Sequence, residues 1–296
     1  MKKTVFNGVA TALITPFTDF SDSVDFDGFE RLIDFQINNS ADALVISGTT
    51  GESPVLTREE KISLFREAVK AADGRIPIIA GTGSNNTEDA VRKSNDAEKQ
   101  GVNGLLIVTP YYNKCTQEGI IKHYFYIADR VSTPVIVYDV PSRTGLAIQP
   151  ETYKALSEHK NIVAVKEASS DIASFIKAKA YCGDELDFYS GNDDLTVAMM
   201  SHGAKGVISV ASNIIPQVIH EIMELCARSD FKKAHNLLKK HLKLMNSMFC
   251  EINPIPVKYA CSLLFETNNS LRLPLTPLTK ANKEKITDIL KEYNLI

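Results

Sequence analysis

What the chain lacks narrows its function before any motif is considered. Its five cysteines, Cys115, Cys182, Cys226, Cys250 and Cys261, are odd in number and show no short paired spacing. That argues against a disulfide framework or a structural zinc knot and fits reduced thiols in the cytoplasm, the compartment we expect. Six histidines occur without a His-x-x-x-His or comparable ligand spacing, so neither a metal nor any other cofactor is expected. No apolar run is long enough to span a membrane, and Met1-Lys2-Lys3-Thr4 leads into a short apolar run that continues as a strand rather than a cleavable signal. The basic excess that nucleic-acid binding requires is missing as well, with 33 Lys and Arg against 36 Asp and Glu for a net charge of −3. The one lysine-rich stretch, Phe231 to Phe249, places Phe231, Ala234, Leu238, Leu242, Met245 and Phe249 on one stripe and most of its lysines elsewhere. That is the pattern of a helix with a solvated face.

What is present is core-forming material, 44% hydrophobic over 296 residues, in a regular rhythm. Eight strand-like runs begin near Gly8, Ala43, Pro77, Gly104, Pro134, Ile162, Asp187 and Gly206, most bounded by Gly, Pro or Asn. Between them lie segments with helical period and start signals. Thr57-Arg58-Glu59-Glu60 fits a capping box, and Thr87 and Thr116 are candidate N-caps. Strand and helix alternating eight times predicts an α/β fold, a closed (β/α)8 TIM barrel, which takes about 250 residues. A doubly wound sheet would want a Gly-x-Gly-x-x-Gly turn after its first strand, and there is none. Beyond about Pro216 the strand signal stops and three or four helical segments follow. We therefore expect a catalytic barrel over residues 1–225 and a C-terminal helical extension over 226–296.

One residue breaks the barrel pattern. Lys166 stands inside Ile162-Val163-Ala164-Val165-Lys166-Glu167-Ala168, which otherwise has the composition of a strand buried on both faces. A buried ammonium without a partner is costly and tends to give up its proton, which leaves a nucleophilic amine. Glu167 is a poor counter-ion, because adjacent strand residues point to opposite faces. The ordinary alternative is a strand-end lysine whose head reaches solvent or a distant carboxylate.

In such barrels the chemistry sits at the C-terminal ends of the strands. Here the second strand ends in Gly48-Thr49-Thr50-Gly51-Glu52-Ser53, whose backbone amides suit an anion, and the fourth in Thr109-Pro110-Tyr111-Tyr112-Asn113. The fifth ends in Tyr138-Asp139-Val140-Pro141-Ser142-Arg143-Thr144-Gly145, the seventh in Ser190-Gly191-Asn192-Asp193-Asp194, and the eighth in Ile208-Ser209. Singly, each has a plain structural role. Strand-end tyrosines pack, Gly-Thr-Thr-Gly forms a turn, Asp193 and Asp194 cap a helix, and Arg143 is exposed. Their conjunction with Lys166 at one rim is what points to a site.

These segments, GTTGES, VTPYYNK, YDVPSRTG, VAVKEAS, SGND and GVISVASN, closely resemble the dihydrodipicolinate synthase family of pyruvate-dependent class I aldolases, and the resemblance runs through the whole chain. It implies a Schiff-base-forming lyase, a 4-hydroxy-tetrahydrodipicolinate synthase, that condenses pyruvate with L-aspartate 4-semialdehyde in a homodimer or homotetramer. It further implies that Lys166 forms the imine and that Tyr138 moves protons, relayed through Thr49 and through Tyr112 from a neighbouring subunit. Thr50 would hold the pyruvate carboxylate with the Ile208 backbone and Gly191 beside it, and Arg143 would hold the semialdehyde carboxylate. N-acetylneuraminate lyases share the barrel and the lysine but usually differ at the Arg143 position and in the turn. A sugar-acid aldolase, or a barrel that only binds a keto acid, is the alternative reading.

The resemblance also bears on regulation. Many relatives are inhibited by lysine in an interface cleft that here would involve Ser53, Pro54, Asn85 and Tyr111. Arg58 and Lys61 stand where sensitive relatives carry histidines, and Asp89 where they carry a longer glutamate. Two fixed cations oppose an ammonium ligand, so weak or absent inhibition by L-lysine is expected unless both lie on the solvated side of their helix.

Overall fold

The computed structural model describes residues 2–19 and 22–296. Eight strands pair in sequence order and close into a barrel. They are β1 (Gly8–Ala12), β2 (Ala43–Ile46), β3 (Ile78–Gly81), β4 (Gly104–Val108), β5 (Val135–Asp139), β6 (Ile162–Glu167), β7 (Asp187–Ser190) and β8 (Gly206–Ser209). Every pairing is parallel, including the closing one, in which Val9 of β1 faces Val207 of β8. The strands are buried almost throughout, as expected of a parallel sheet covered on both faces. Ala10, Ala43, Val45, Ile79, Leu106, Ile136, Ala164 and Ile208 belong to the apolar cluster that fills the barrel, with Phe6 stacked on Tyr189 at 4.1 Å between ring centroids.

Local sequence sets the surrounding helices. Arg58–Ala72 starts at Thr57 through a complete capping box with Glu60, and Gln117–Ala128 starts at Thr116, whose hydroxyl accepts from the Gly119 N–H. The helix at Thr87 differs from expectation. Asn86 is its cap, accepting from the Glu88 and Asp89 N–H groups, while Thr87 falls inside the first turn and its hydroxyl hydrogen-bonds His123 Nδ1.

Four helices follow β8, namely Pro216–Ala227, Phe231–Ser247, Ile255–Leu264 and Lys280–Glu292. Their apolar residues, among them Ile219, Leu238, Met245, Val257, Cys261, Ile286 and Leu290, join the same hydrophobic cluster as the barrel's outer layer. Pro216–Ala227 runs across the expected boundary between residues 225 and 226, and the helices beyond it are packed into the body of the protein. The stripe on Phe231–Ser247 ends at Met245, because the helix stops before Phe249, which is 47% exposed and lies at the mouth of the barrel. Among the described residues no helix is long and apolar enough to cross a membrane.

Candidate active site

Strand register builds the centre of the site. Tyr138 on β5 and Lys166 on β6 are partners across the ladder, as are Lys166 and Tyr189 on β7, so their side chains share the interior face. Lys166 Nζ lies 4.5 Å from the centre of the Tyr138 ring. The lysine is buried, and burial lowers its pKa to about 8, with Asp193 pulling the other way and Arg143 adding to the drop. Burial pushes the Tyr138 phenol above its ordinary value, although Arg143 and a hydrogen bond with Thr49 moderate it. Tyr138 therefore stays protonated at neutral pH and can both donate and accept.

The alternation along β5 and β6 sends Asp139 and Glu167, also register partners, to the opposite face. Asp139 accepts from the Tyr153 hydroxyl at 2.8 Å and the Ile148 N–H at 3.1 Å, and burial raises it to about 7. Glu167, raised likewise by burial, accepts from the Ser169 N–H at 2.7 Å. Glu167 is accordingly no counter-ion for Lys166; of the two ordinary alternatives, the head is buried rather than carried out to bulk solvent, while a distant carboxylate, Asp193, does act on it.

The turn after β2 is wound tightly. Ser47 and Glu52 adopt left-handed backbone angles, φ 55° and 54°, which non-glycine residues tolerate only when their surroundings impose them. Gly81 makes room for this path, since a Cβ there would sit 2.2 Å from the Ser47 carbonyl oxygen. Thr15 Oγ1 donates to the Gly51 carbonyl at 2.8 Å and holds the turn to the chain after β1. Thr50 is buried, and its hydroxyl accepts from Asn253 Nδ2 at 3.0 Å. The Asn253 carbonyl in turn accepts from Arg143 Nη2 at 3.3 Å. One residue of the extension thereby joins the Thr50 turn to the Arg143 turn.

Lys166, Tyr138, Thr49, Thr50, Arg143 and Gly191 all line one cavity of about 420 Å³ at the barrel mouth. Gly191 is required for close approach, because a Cβ there would meet the Ala168 methyl at 2.5 Å. Ile208 contributes to the barrel filling instead and is fully buried, with Val210 lining the cavity beyond it. Tyr112 does not line the cavity within one chain. It is 93% exposed, at φ 68°, on the rim.

Sequence reasoning passed over two members of this site. Asn253 stands 203 positions from its partner Thr50, in a segment with no signal beyond its Asn-Pro-Ile-Pro composition. Asp193 was expected to cap its own helix. Its carboxylate instead accepts from the Val210 and Ala211 N–H groups after β8 at 3.2 and 3.0 Å, buried and within electrostatic reach of Lys166.

A second pocket of about 240 Å³ adjoins the cavity, lined by Pro54, Arg58, Lys61, Asp89, Arg92 and Lys93 among others. Arg58 is bound to Asp96 through two hydrogen bonds of 2.7 and 2.8 Å. Lys61 lines both spaces, and burial with the neighbouring Lys93 charge lowers it to about 8. Burial would raise Asp89, yet hydrogen bonds from Lys93, Arg92 and Ser84 take it down to about 2. Ser53, Pro54 and Tyr111 line the larger cavity, while Asn85 lies in an open groove beside Asp89 and Arg92.

Set beside known proteins, residues 5–293 match the dihydrodipicolinate synthetase family. A 4-hydroxy-tetrahydrodipicolinate synthase of Trichlorobacter lovleyi is 47% identical over 292 residues, which cover 99% of this chain and all of the relative. The crystal structure of the chloride-inhibited dihydrodipicolinate synthase of Acinetobacter baumannii complexed with pyruvate superposes with a TM-score of 0.96 at 38% identity, covering 99% of this chain and 100% of that one. The enzyme of Cyanidioschyzon merolae with lysine bound gives 0.96 at 36% identity over 99% of this chain and 100% of its own.

Proposed function

The chain belongs to the dihydrodipicolinate synthetase family, and from that premise we propose how its residues carry out the 4-hydroxy-tetrahydrodipicolinate synthase reaction. The enzyme is a Schiff-base-forming lyase that condenses pyruvate with L-aspartate 4-semialdehyde, the first committed step of the diaminopimelate route to lysine. The observation that carries the assignment of residues is the buried Lys166 amine over the Tyr138 ring, held at a pKa of about 8.

In its neutral form Lys166 attacks the pyruvate ketone and, with loss of water, forms an imine that withdraws electrons from the methyl carbon. Loss of a methyl proton gives an enamine, which adds to the aldehyde of the semialdehyde. The substrate's own amine then attacks the imine carbon, displaces Lys166 and closes the ring. Tyr138 hands protons between these steps, since its phenol is hydrogen-bonded to Thr49 and stays protonated. Thr50, with Gly191 and the Ile208 backbone nearby, holds the pyruvate carboxylate. Arg143 grips the semialdehyde carboxylate with its planar fork.

Tyr112 completes the relay from a second copy of the chain. Its 93% exposure and left-handed backbone suit a side chain projecting from the rim into a neighbour. The working unit is then at least a homodimer, acting in the cytoplasm, where its five unpaired cysteines stay reduced. Incubation with pyruvate and borohydride should inactivate the enzyme and leave a reduced adduct on Lys166. An adduct on any other lysine, or none, in the peptide mass spectrum would remove the imine from the mechanism.

A further inference from the structure

The side chain of Glu52 leaves the catalytic turn in the direction away from substrate. Its carboxylate is fully buried and meets the ammonium of Lys258, which is also fully buried. The other oxygen, Oε2, accepts from the Arg272 backbone N–H at 3.2 Å. Lys258 Nζ and the Arg272 guanidinium both sit over the Phe17 ring, 3.9 and 4.4 Å from its centre, so the pair is sealed beneath an aromatic face. Arg272 is held in turn by Glu60, through Nη1 at 2.7 Å and Nη2 at 2.6 Å, and by the Val55 carbonyl at 3.0 Å.

A buried ion pair is poor evidence of a gain in stability, because desolvating two charges costs about as much as their attraction returns. What it supplies is direction. Glu52 follows Thr49, Thr50 and Gly51 in the turn, and Lys258 follows Asn253 by five positions at the start of the helix Ile255–Leu264. The same short stretch of the extension therefore grips the turn twice, Asn253 from the substrate side at Thr50 and Lys258 from behind at Glu52. The left-handed backbone of Glu52 is what turns its side chain backwards while Thr50 points to the mouth.

We propose that Glu52 and Lys258 are positioning residues for keto-acid capture, a buried clamp by which the helical extension sets Thr50 and Asn253 for the substrate carboxylate. The inference rests on the assignment of Thr50 to the pyruvate carboxylate. Without the clamp the turn relaxes from its strained path, and the Thr50 hydroxyl and nearby amides lose their common aim. Substrate capture then weakens while the amine and the phenol, which sit on β5 and β6, keep their places.

The test uses the full-length enzyme and two variants. The Glu52→Gln/Lys258→Met double variant replaces the pair with neutral groups of similar volume, a change buried pairs tolerate. The single variant Glu52→Gln leaves one acceptor oxygen for two donors, so either the Lys258 ammonium or the Arg272 N–H comes to face an amide NH2. Both are compared with the parent by thermal unfolding and by borohydride trapping at Lys166 across a range of pyruvate concentrations. The expected result is a rise of about tenfold or more in the pyruvate needed for half-maximal trapping, with the trapped plateau at saturating pyruvate within about twofold of the parent. Half-saturation unchanged in a folded variant would overturn the clamp, and so would a loss of plateau without a shift in half-saturation. Failure of both variants to fold would assign the pair to stability and end the positioning claim. A parent that itself trapped no pyruvate at Lys166 would refute the imine reading, which is a separate outcome.

Discussion

Asp193→Asn probes the electrostatics of the site most directly. Asp193 is the negative neighbour that opposes the effect of burial on Lys166, and burial raises its own carboxyl above the ordinary carboxylate range. A close opposite charge shifts a buried group by one to three units, and the smaller figure suits a partner that acts on Lys166 through its charge and not through a hydrogen bond, about one unit or 1.4 kcal/mol. Removing a negative charge disfavours the ammonium, so the Lys166 pKa falls from about 8 towards roughly 7. At pH 7 the neutral amine then grows from roughly one tenth to roughly one half of the enzyme, and imine formation at low pyruvate accelerates about fivefold. At pH 9 both forms are almost fully neutral and the gain vanishes. Asparagine still offers a carbonyl oxygen to the Val210 and Ala211 N–H groups, so the loop after β8 keeps its acceptor. Rapid-quench borohydride trapping from pH 6 to pH 9.5 reads the acid limb. A limb that stays in place or moves to higher pH contradicts the assignment of Asp193 as the residue holding Lys166 up, and a uniform loss at every pH would give it another role.

Two further expectations concern carboxylate and ligand recognition. Arg143→Ala should impair kcat/KM for L-aspartate 4-semialdehyde by roughly 2–3 kcal/mol, about two decades, while pyruvate trapping at Lys166 changes little; equal damage to both steps would make Arg143 structural. L-Lysine should inhibit weakly or not at all, because Lys61 lines the cleft beside Lys93 and Asp89 is already engaged by Lys93, Arg92 and Ser84, and half-inhibition below about a millimolar would contradict this.

The barrel was readable because its strands are short, mostly apolar and mostly bounded by Gly, Pro or Asn. Six begin at the residue expected, and β3 and β5 begin one later, at Ile78 and Val135, since the prolines before them have no N–H to give the ladder. Their carbonyls still accept, from Leu44 and Leu105, just outside the strands. Lys166 was readable for the opposite reason, as a basic residue inside an apolar strand buried on both faces. Asn253, Glu52 and Lys258 were not, because their meaning lies in contacts spanning 203 and 206 positions and nothing local marks them. Phe249 was misplaced on a helical stripe because hydrophobic periodicity cannot tell where a helix gives way to a turn. Asp193 was read as a local cap because that is the short-range habit of aspartate, and the strand end it serves comes 17 positions later.

The grip of residues 253–272 on the turn after β2 has a consequence during synthesis. A ribosome completes all eight strands before Asn253 and Lys258 emerge, so a nascent chain holds its reactive amine before it holds the means to fix the turn beside it. Contacts of such long range form late and slowly. On the proposed clamp, a chain truncated before Asn253 would carry Lys166 without the groups that aim a keto acid at it.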